Sequence, residues 1–154
     1  MDTLTLSQVT GPDAAIVALL QAHFDLMRAT SPAESCHVME PEAVFKDAAV
    51  VLAAHEADTL LGIGALKALE GTHGELKSMH TVAAGRGKGV GAAVLTALME
   101  KARSVGMTHL SLETGSDDLF TPARALYAKH GFAECPPFGS YVSDPLSVFM
   151  TRSL

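Results

Sequence analysis

Arg86-Gly87-Lys88-Gly89-Val90-Gly91 stands between residues 75–82 (ELKSMHTV), which have strand chemistry, and residues 88–105, whose apolar positions recur at helical spacing. Glycines let the backbone turn tightly and bring successive N–H groups against a ligand. The helix N-terminus adds partial positive charge, and Arg86 and Lys88 add full charges. Such a turn can cradle a diphosphate, and it can equally be a plain strand-to-helix connection, so its surroundings must decide. A nucleoside-triphosphate loop requires Ser or Thr after the lysine, and Gly89 follows Lys88. A dinucleotide turn fits better, because residues 87–92 (GKGVGA) satisfy G-x-G-x-x-A and Glu113 ends the next strand, where an acidic residue takes a ribose. Against it, a strand inside a parallel sheet should be nearly continuously apolar, and ELKSMHTV is not. The chain beyond Glu113 is also short for further β-α units. The dinucleotide-dependent oxidoreductase stays as the second reading.

Working outward, residues 3–8 alternate polar and apolar side chains and predict an edge strand. Pro12 suits a first helical turn, and Ile16, Leu20, Phe24 and Met27 continue a helix to about residue 27. Residues 30–40 are irregular in composition, and a short helix follows near Pro41, carrying Ala43, Val44 and Phe45. Residues 48–55 and 60–69 are β-rich apolar runs joined by Glu56-Ala57-Asp58-Thr59, and the turn Gly71-Thr72-His73-Gly74 leads into residues 75–82. After the helix at 88–105, stopped by Gly106, residues 108–113 form a strand. Thr121 as N-cap and Pro122 open a helix ending at His130-Gly131, and residues 147–152 form the closing strand. The order β-α-α-β-β-β-α-β-α-β-β describes a mixed α/β (α+β) sheet, an antiparallel meander feeding a β-α-β crossover. With 154 residues and no repeat or linker, residues 1–154 make one domain.

Composition narrows the function. Lys and Arg total 11 against 17 Asp and Glu, a net charge of −6, opposite to the basic footprint of phosphate-backbone binding; nucleic acid is not an expected partner. The longest wholly apolar run, residues 48–54, falls far short of the roughly 20 residues of a bilayer span. Met1-Asp2 opens no positively charged leader, so the chain is expected to be soluble, cytoplasmic and without a membrane partner. Cys36 and Cys135 lie far apart and the seven His form no metal-ligand cluster; neither a disulfide framework nor a metal is expected.

Residues 79–91 (MHTVAAGRGKGVG) resemble the acetyl-coenzyme A motif of the GNAT superfamily of N-acetyltransferases, a strand followed by (R/Q)-x-x-G-x-(G/A). Residues 123–132 (ARALYAKHGF) look like that family's A-x-x-L-Y-x-x-x-G-F segment, the more specific match. The interval between the motifs, the meander and the closing strands also fit, so the resemblance spans essentially the whole chain. Phe120 stands where members often have Asn, and Ala83 where they often have Pro.

The resemblance implies that strand 75–82 splays from strand 108–113 and that acetyl-CoA enters the gap. Met79, His80 and Thr81 then lie along pantetheine, and amides of Arg86, Gly87, Lys88, Gly89, Val90, Gly91 and Ala92 hold the diphosphate. It implies transfer of an acetyl group to the primary amine of a small molecule or peptide, by direct attack in a ternary complex. An alkyl amine with a pKa near 10 is only about one part in a thousand unprotonated at pH 7, so a base is wanted. Glu75 is the expected base and Glu113 the reserve. Tyr127 shares the inward face of its helix and matches the family's general acid. Tyr141, in the loop before the closing strand, is expected to wall the acceptor. A homodimer through the closing strands is implied by analogy. An acyl-coenzyme A sensor without catalysis is the non-enzyme alternative.

Overall fold

The computed structural model describes residues 3–11, 13–32 and 35–154. Pro12, and part of the irregular stretch at 30–40, lie outside them. One seven-stranded sheet runs in the order β1-β2-β3-β4-β5-β7-β6. It consists of β1 (Leu4–Gln8), β2 (Val50–Glu56), β3 (Thr59–Ala68), β4 (His73–Thr81), β5 (His109–Gly115), β6 (Ala133–Glu134) and β7 (Ser147–Ser153). Every neighbouring pair is antiparallel except β4 and β5. The expected element order holds, and β1 is the edge strand that its alternation suggested.

Period-2 alternation sends the meander's side chains to two cores. Leu52, Leu61, Leu66 and Leu76 meet Val90, Val94, Leu95 and Leu98 of α3 (Val90–Ser104). On the opposite face Val51, Ala53, Ile63 and Ala65 meet Ile16, Leu19 and Leu20 of α1 (Ala14–Thr30) and Val44 of α2 (Pro41–Asp47). The last helix, α4 (Thr121–Lys129), carries Tyr127 and Leu126 onto the α3 side.

Four local readings are corrected. Helix α1 is capped by Asp13, whose carboxylate accepts from Ala15 and Ile16 N–H at 3.0 and 3.3 Å, and it runs on to Thr30. Strand β4 already includes His73 and Gly74, which the sequence assigned to the turn. Helix α3 begins at Val90 rather than Lys88, because Gly87 and Gly89 adopt φ of 77° and 75°, left-handed values no right-handed helix accommodates. The N-cap of α4 is Phe120; Thr121 lies inside the helix, and its hydroxyl accepts from Arg124 at 3.1 Å.

Two irregularities of β4 create the site. Ala65 faces Lys77 and Ile63 faces His80, so Gly64 on β3 opposes both Ser78 and Met79: a bulge, with Ser78 at φ 56°. On the other side β4 pairs with β5 only from His73 opposite His109 to Leu76 opposite Leu112. Beyond Leu76 the strands part, while β5 stays paired with β7 as far as Gly115 opposite Ser147. The expected splay is present.

Candidate active site

A cavity of about 820 Å³ occupies the gap between the parted strands. Of the residues proposed from sequence, Glu75, Met79, His80, Thr81, Arg86, Gly87, Gly89, Val90, Gly91, Ala92, Glu113, Tyr127 and Tyr141 all line it. Lys88 does not. Its Nζ lies 2.9 Å from Glu56 Oε1 across the turn, an exposed ion pair pointing elsewhere.

At one end the glycine turn meets the start of α3. The N-cap Gly89 supplies no side-chain acceptor, and amides of a first helical turn have no intrahelical partner. A Cβ at Gly87 or Gly89 would meet nothing within 4 Å, so these two glycines are required by their positive φ and leave open space over the backbone. Arg86 adds a cation at this end, which suits a diphosphate.

At the other end, where the strands begin to part, charged and phenolic groups converge. Glu75 is 3% exposed, and its Oε2 accepts from Tyr141 Oη at 2.6 Å and from Lys77 Nζ at 3.4 Å. Lys77 Nζ also donates to Tyr141 Oη at 3.0 Å. Among the described residues both bonds fall on Oε2, which leaves Glu75 Oε1 for an incoming group. Tyr141 is wedged edge-on against His37, Phe138 and, more tilted, Phe149, with centroids 4.9, 5.1 and 5.4 Å away. Burial first, then the charge of Glu75, pushes its phenol well above the usual range, so the proton stays on Tyr141.

Glu113 stands on β5 past the last β4–β5 pair and accepts from Ser147 Oγ at 2.8 Å. Burial raises its carboxyl to about 7, opposed by the Ser147 hydrogen bond and by Lys77. Tyr127, 6% exposed on α4, is pushed upward by burial and by the charge of Glu113. Its hydroxyl makes no protein hydrogen bond among the described residues and borders the cavity.

Sequence reasoning missed His23, Ser35, His37 and Lys77, which also line the cavity. His23 was findable, since it continues the Ile16, Leu19, Leu20 stripe at helical spacing. Its Nδ1 lies 3.0 Å from His80 Nδ1, and burial, then His80, lowers it to about 4. Ser35 and His37 come from a segment whose path no periodicity marks. Cys36 lines the cavity as well, while burial pushes the Cys135 thiol up, away from nucleophile chemistry. Among the described residues no group of His, Cys, Asp or Glu is arranged to hold a metal, and no helix is long and apolar enough to cross a membrane.

A parted parallel strand pair beside a glycine turn is what the two motifs implied, and the Acetyltransferase (GNAT) family matches residues 16–132. The chain belongs to this family. It is 45% identical over 139 residues to an uncharacterized N-acetyltransferase, YsnE, of Bacillus subtilis (strain 168), covering 90% of this chain and 92% of that one. An acyl-CoA N-acyltransferase structure from Klebsiella pneumoniae resembles it with a TM-score of 0.78 and 32% identity over 98% and 97% of the two chains. A Bacillus subtilis acetyltransferase solved in complex with CoA shares the fold, with a TM-score of 0.71 and 16% identity over 99% of each chain. The GNAT protein described here is an acetyl-CoA-dependent N-acetyltransferase acting on an amine acceptor. Neither the dinucleotide oxidoreductase nor the sensor is supported. Its own residues fit the cosubstrate: a strand with a free edge, an uncapped helix start, two glycines open to approach, and Arg86 beside them.

Proposed function

We propose that this GNAT enzyme acetylates the primary amine of a small molecule in a ternary complex, with Glu113 rather than Glu75 as the base and Tyr127 as the acid. The observation that carries the assignment is the Glu113 carboxyl, raised by burial to about 7 at the point where β4 and β5 separate. A base titrating near the working pH combines a large ionised fraction with a useful drive to take a proton, and a positioned one contributes roughly 10²–10⁴-fold.

Acetyl-CoA, bound along β4 and the glycine turn, supplies the acyl group as a thioester. Glu75 Oε1 holds the acceptor ammonium, and ionised Glu113 takes a proton from it, freeing the nitrogen lone pair for attack on the acyl carbon. As the carbon–sulfur bond breaks, Tyr127 gives its hydroxyl proton to sulfur and regains one from the newly acylated nitrogen, leaving neutral amide, free thiol and one proton on Glu113. Burial keeps the proton on the Tyr127 oxygen in the resting enzyme, so it is present when the thiolate departs. Tyr141 and Lys77 fix the Glu75 carboxylate through Oε2.

Tyr127→Phe tests the acid. We expect kcat to fall about tenfold or more with the dissociation constant for coenzyme A little changed, since the ring and its packing on Phe132 remain. Full kcat in Tyr127→Phe, with coenzyme A bound normally, removes Tyr127 from the chemistry.

A further inference from the structure

We infer that the acceptor is a free α-amino acid with an apolar side chain, its carboxylate taken by Lys77 while its ammonium lies on Glu75; this rests on the transfer chemistry proposed above. Lys77 is the cation among the charged groups at this end of the cavity, with a side chain 13% exposed, and it sits at the residue where β4 leaves β5. An ammonium has three donors, and among the described residues only Tyr141 Oη at 3.0 Å and Glu75 Oε2 at 3.4 Å accept from this one. One donor of Lys77 and one oxygen of Glu75 are therefore open side by side.

That pair of opposite charges selects against single-signed acceptors. A simple ammonium ion satisfies Glu75 and leaves the third donor of Lys77 without an acceptor. A zwitterion whose amine and carboxylate share one carbon satisfies both. Leu26, Met27, Val38 and Met39 add apolar wall to the same cavity, beside the polar His37 and Ser35.

The covering loops argue for a free amino acid rather than a chain end. Ser35 Oγ donates to Asp144 Oδ2 at 2.6 Å, tying the segment after α1 to the loop before β7, and Asp144 also accepts from Leu146 N–H at 2.8 Å. Below this tie His37 and Tyr141 close edge to face. The cavity of about 820 Å³ must hold the pantetheine arm as well.

The test measures coenzyme A thiol release from acetyl-CoA with L-methionine, L-leucine and L-phenylalanine, each against its decarboxylated amine and its carboxamide. With at least one of these side chains we expect kcat/KM for the amino acid to exceed that for both analogues by about tenfold or more, the usual worth of a hydrogen bond to a charged group. Lys77→Arg keeps the preference and Lys77→Met brings the ratio near one. Equal or better use of the decarboxylated amines by the wild-type enzyme overturns the amino-acid assignment and leaves the transfer chemistry standing. The same follows if Lys77→Met retains the preference. No thiol release with any amine overturns the transfer reading itself.

Discussion

Glu113→Gln should make this enzyme more stable and less active at the same time, each with a defined pH dependence. The carboxyl titrates at about 7 in the fold against an ordinary value of 4.5. Below about 4.5 both folded and unfolded chains carry the proton and Glu113 contributes nothing. As pH rises through the window the unfolded chain releases its proton first, and above about 7 the folded state bears the whole desolvation cost. That difference corresponds to roughly 3 kcal/mol as an upper figure. Gln carries no charge to desolvate, and its carbonyl can still accept from Ser147, 2.8 Å away in the native enzyme. For a chain of this length about 1 kcal/mol moves Tm by about 2–4 °C, so the variant should melt up to about 10 °C higher at pH 8 and level with wild type at pH 4.5. In the same samples the rise of kcat/KM with pH around 7 should vanish and kcat should drop by about 10²-fold or more. Thermal melts from pH 4.5 to 8 and a thiol-release profile over the active range supply both curves. A Tm difference that ignores pH refutes the burial argument; a retained limb near 7 refutes Glu113 as base.

Three further outcomes follow from the geometry. His23 stays neutral in the fold down to about pH 4, whereas an unfolded histidine protonates below 6.5, so stability should fall by up to about 3 kcal/mol as pH drops through that window, and His23→Leu should flatten the fall in denaturant titrations. Arg86→Gln should raise KM for acetyl-CoA several-fold, while Lys88→Gln, which only breaks an exposed pair with Glu56, should change it little. A methyl group at Gly115 would run into the Phe120 ring; Gly115→Ala should cost about 1–3 kcal/mol by denaturant unfolding, and adding Phe120→Ala should recover part of it.

Legibility in the sequence followed the range of the interactions. The meander, the α3 stripe and the glycine turn are local patterns, and the sequence placed the helices and every strand but β6 within a few residues. Where a single backbone conformation or cap decided, the reading slipped: positive φ at Gly87 and Gly89 delayed α3, and the Asp13 cap set the start of α1 at Ala14. The cofactor end was readable because its residues are contiguous. The acceptor end was only half so, because Tyr141, Ser35 and His37 reach Glu75 and Lys77 through folding alone, and no spacing records such contacts. The order proposed for the two glutamates was likewise beyond the sequence. Glu113 owes its raised pKa to burial beside the β5–β7 pair, an environment that exists only once the sheet has formed.

The bulge at Ser78 gives β4 a phase as well as a bend. Before it, odd-numbered Glu75 and Lys77 project to the α1 side; after it, even-numbered His80 does, reaching His23, while Met79 turns toward α3 and packs at Gly64. One inserted residue thus divides a single strand into two half-strands of opposite parity, one carrying Glu75 and Lys77 and the other Met79 and His80. Deleting Ser78 would restore regular pleating, with Met79 alone opposite Gly64 and both half-strands keeping the faces they have. In this enzyme, counting residues across the bulge matters more than knowing which residues they are.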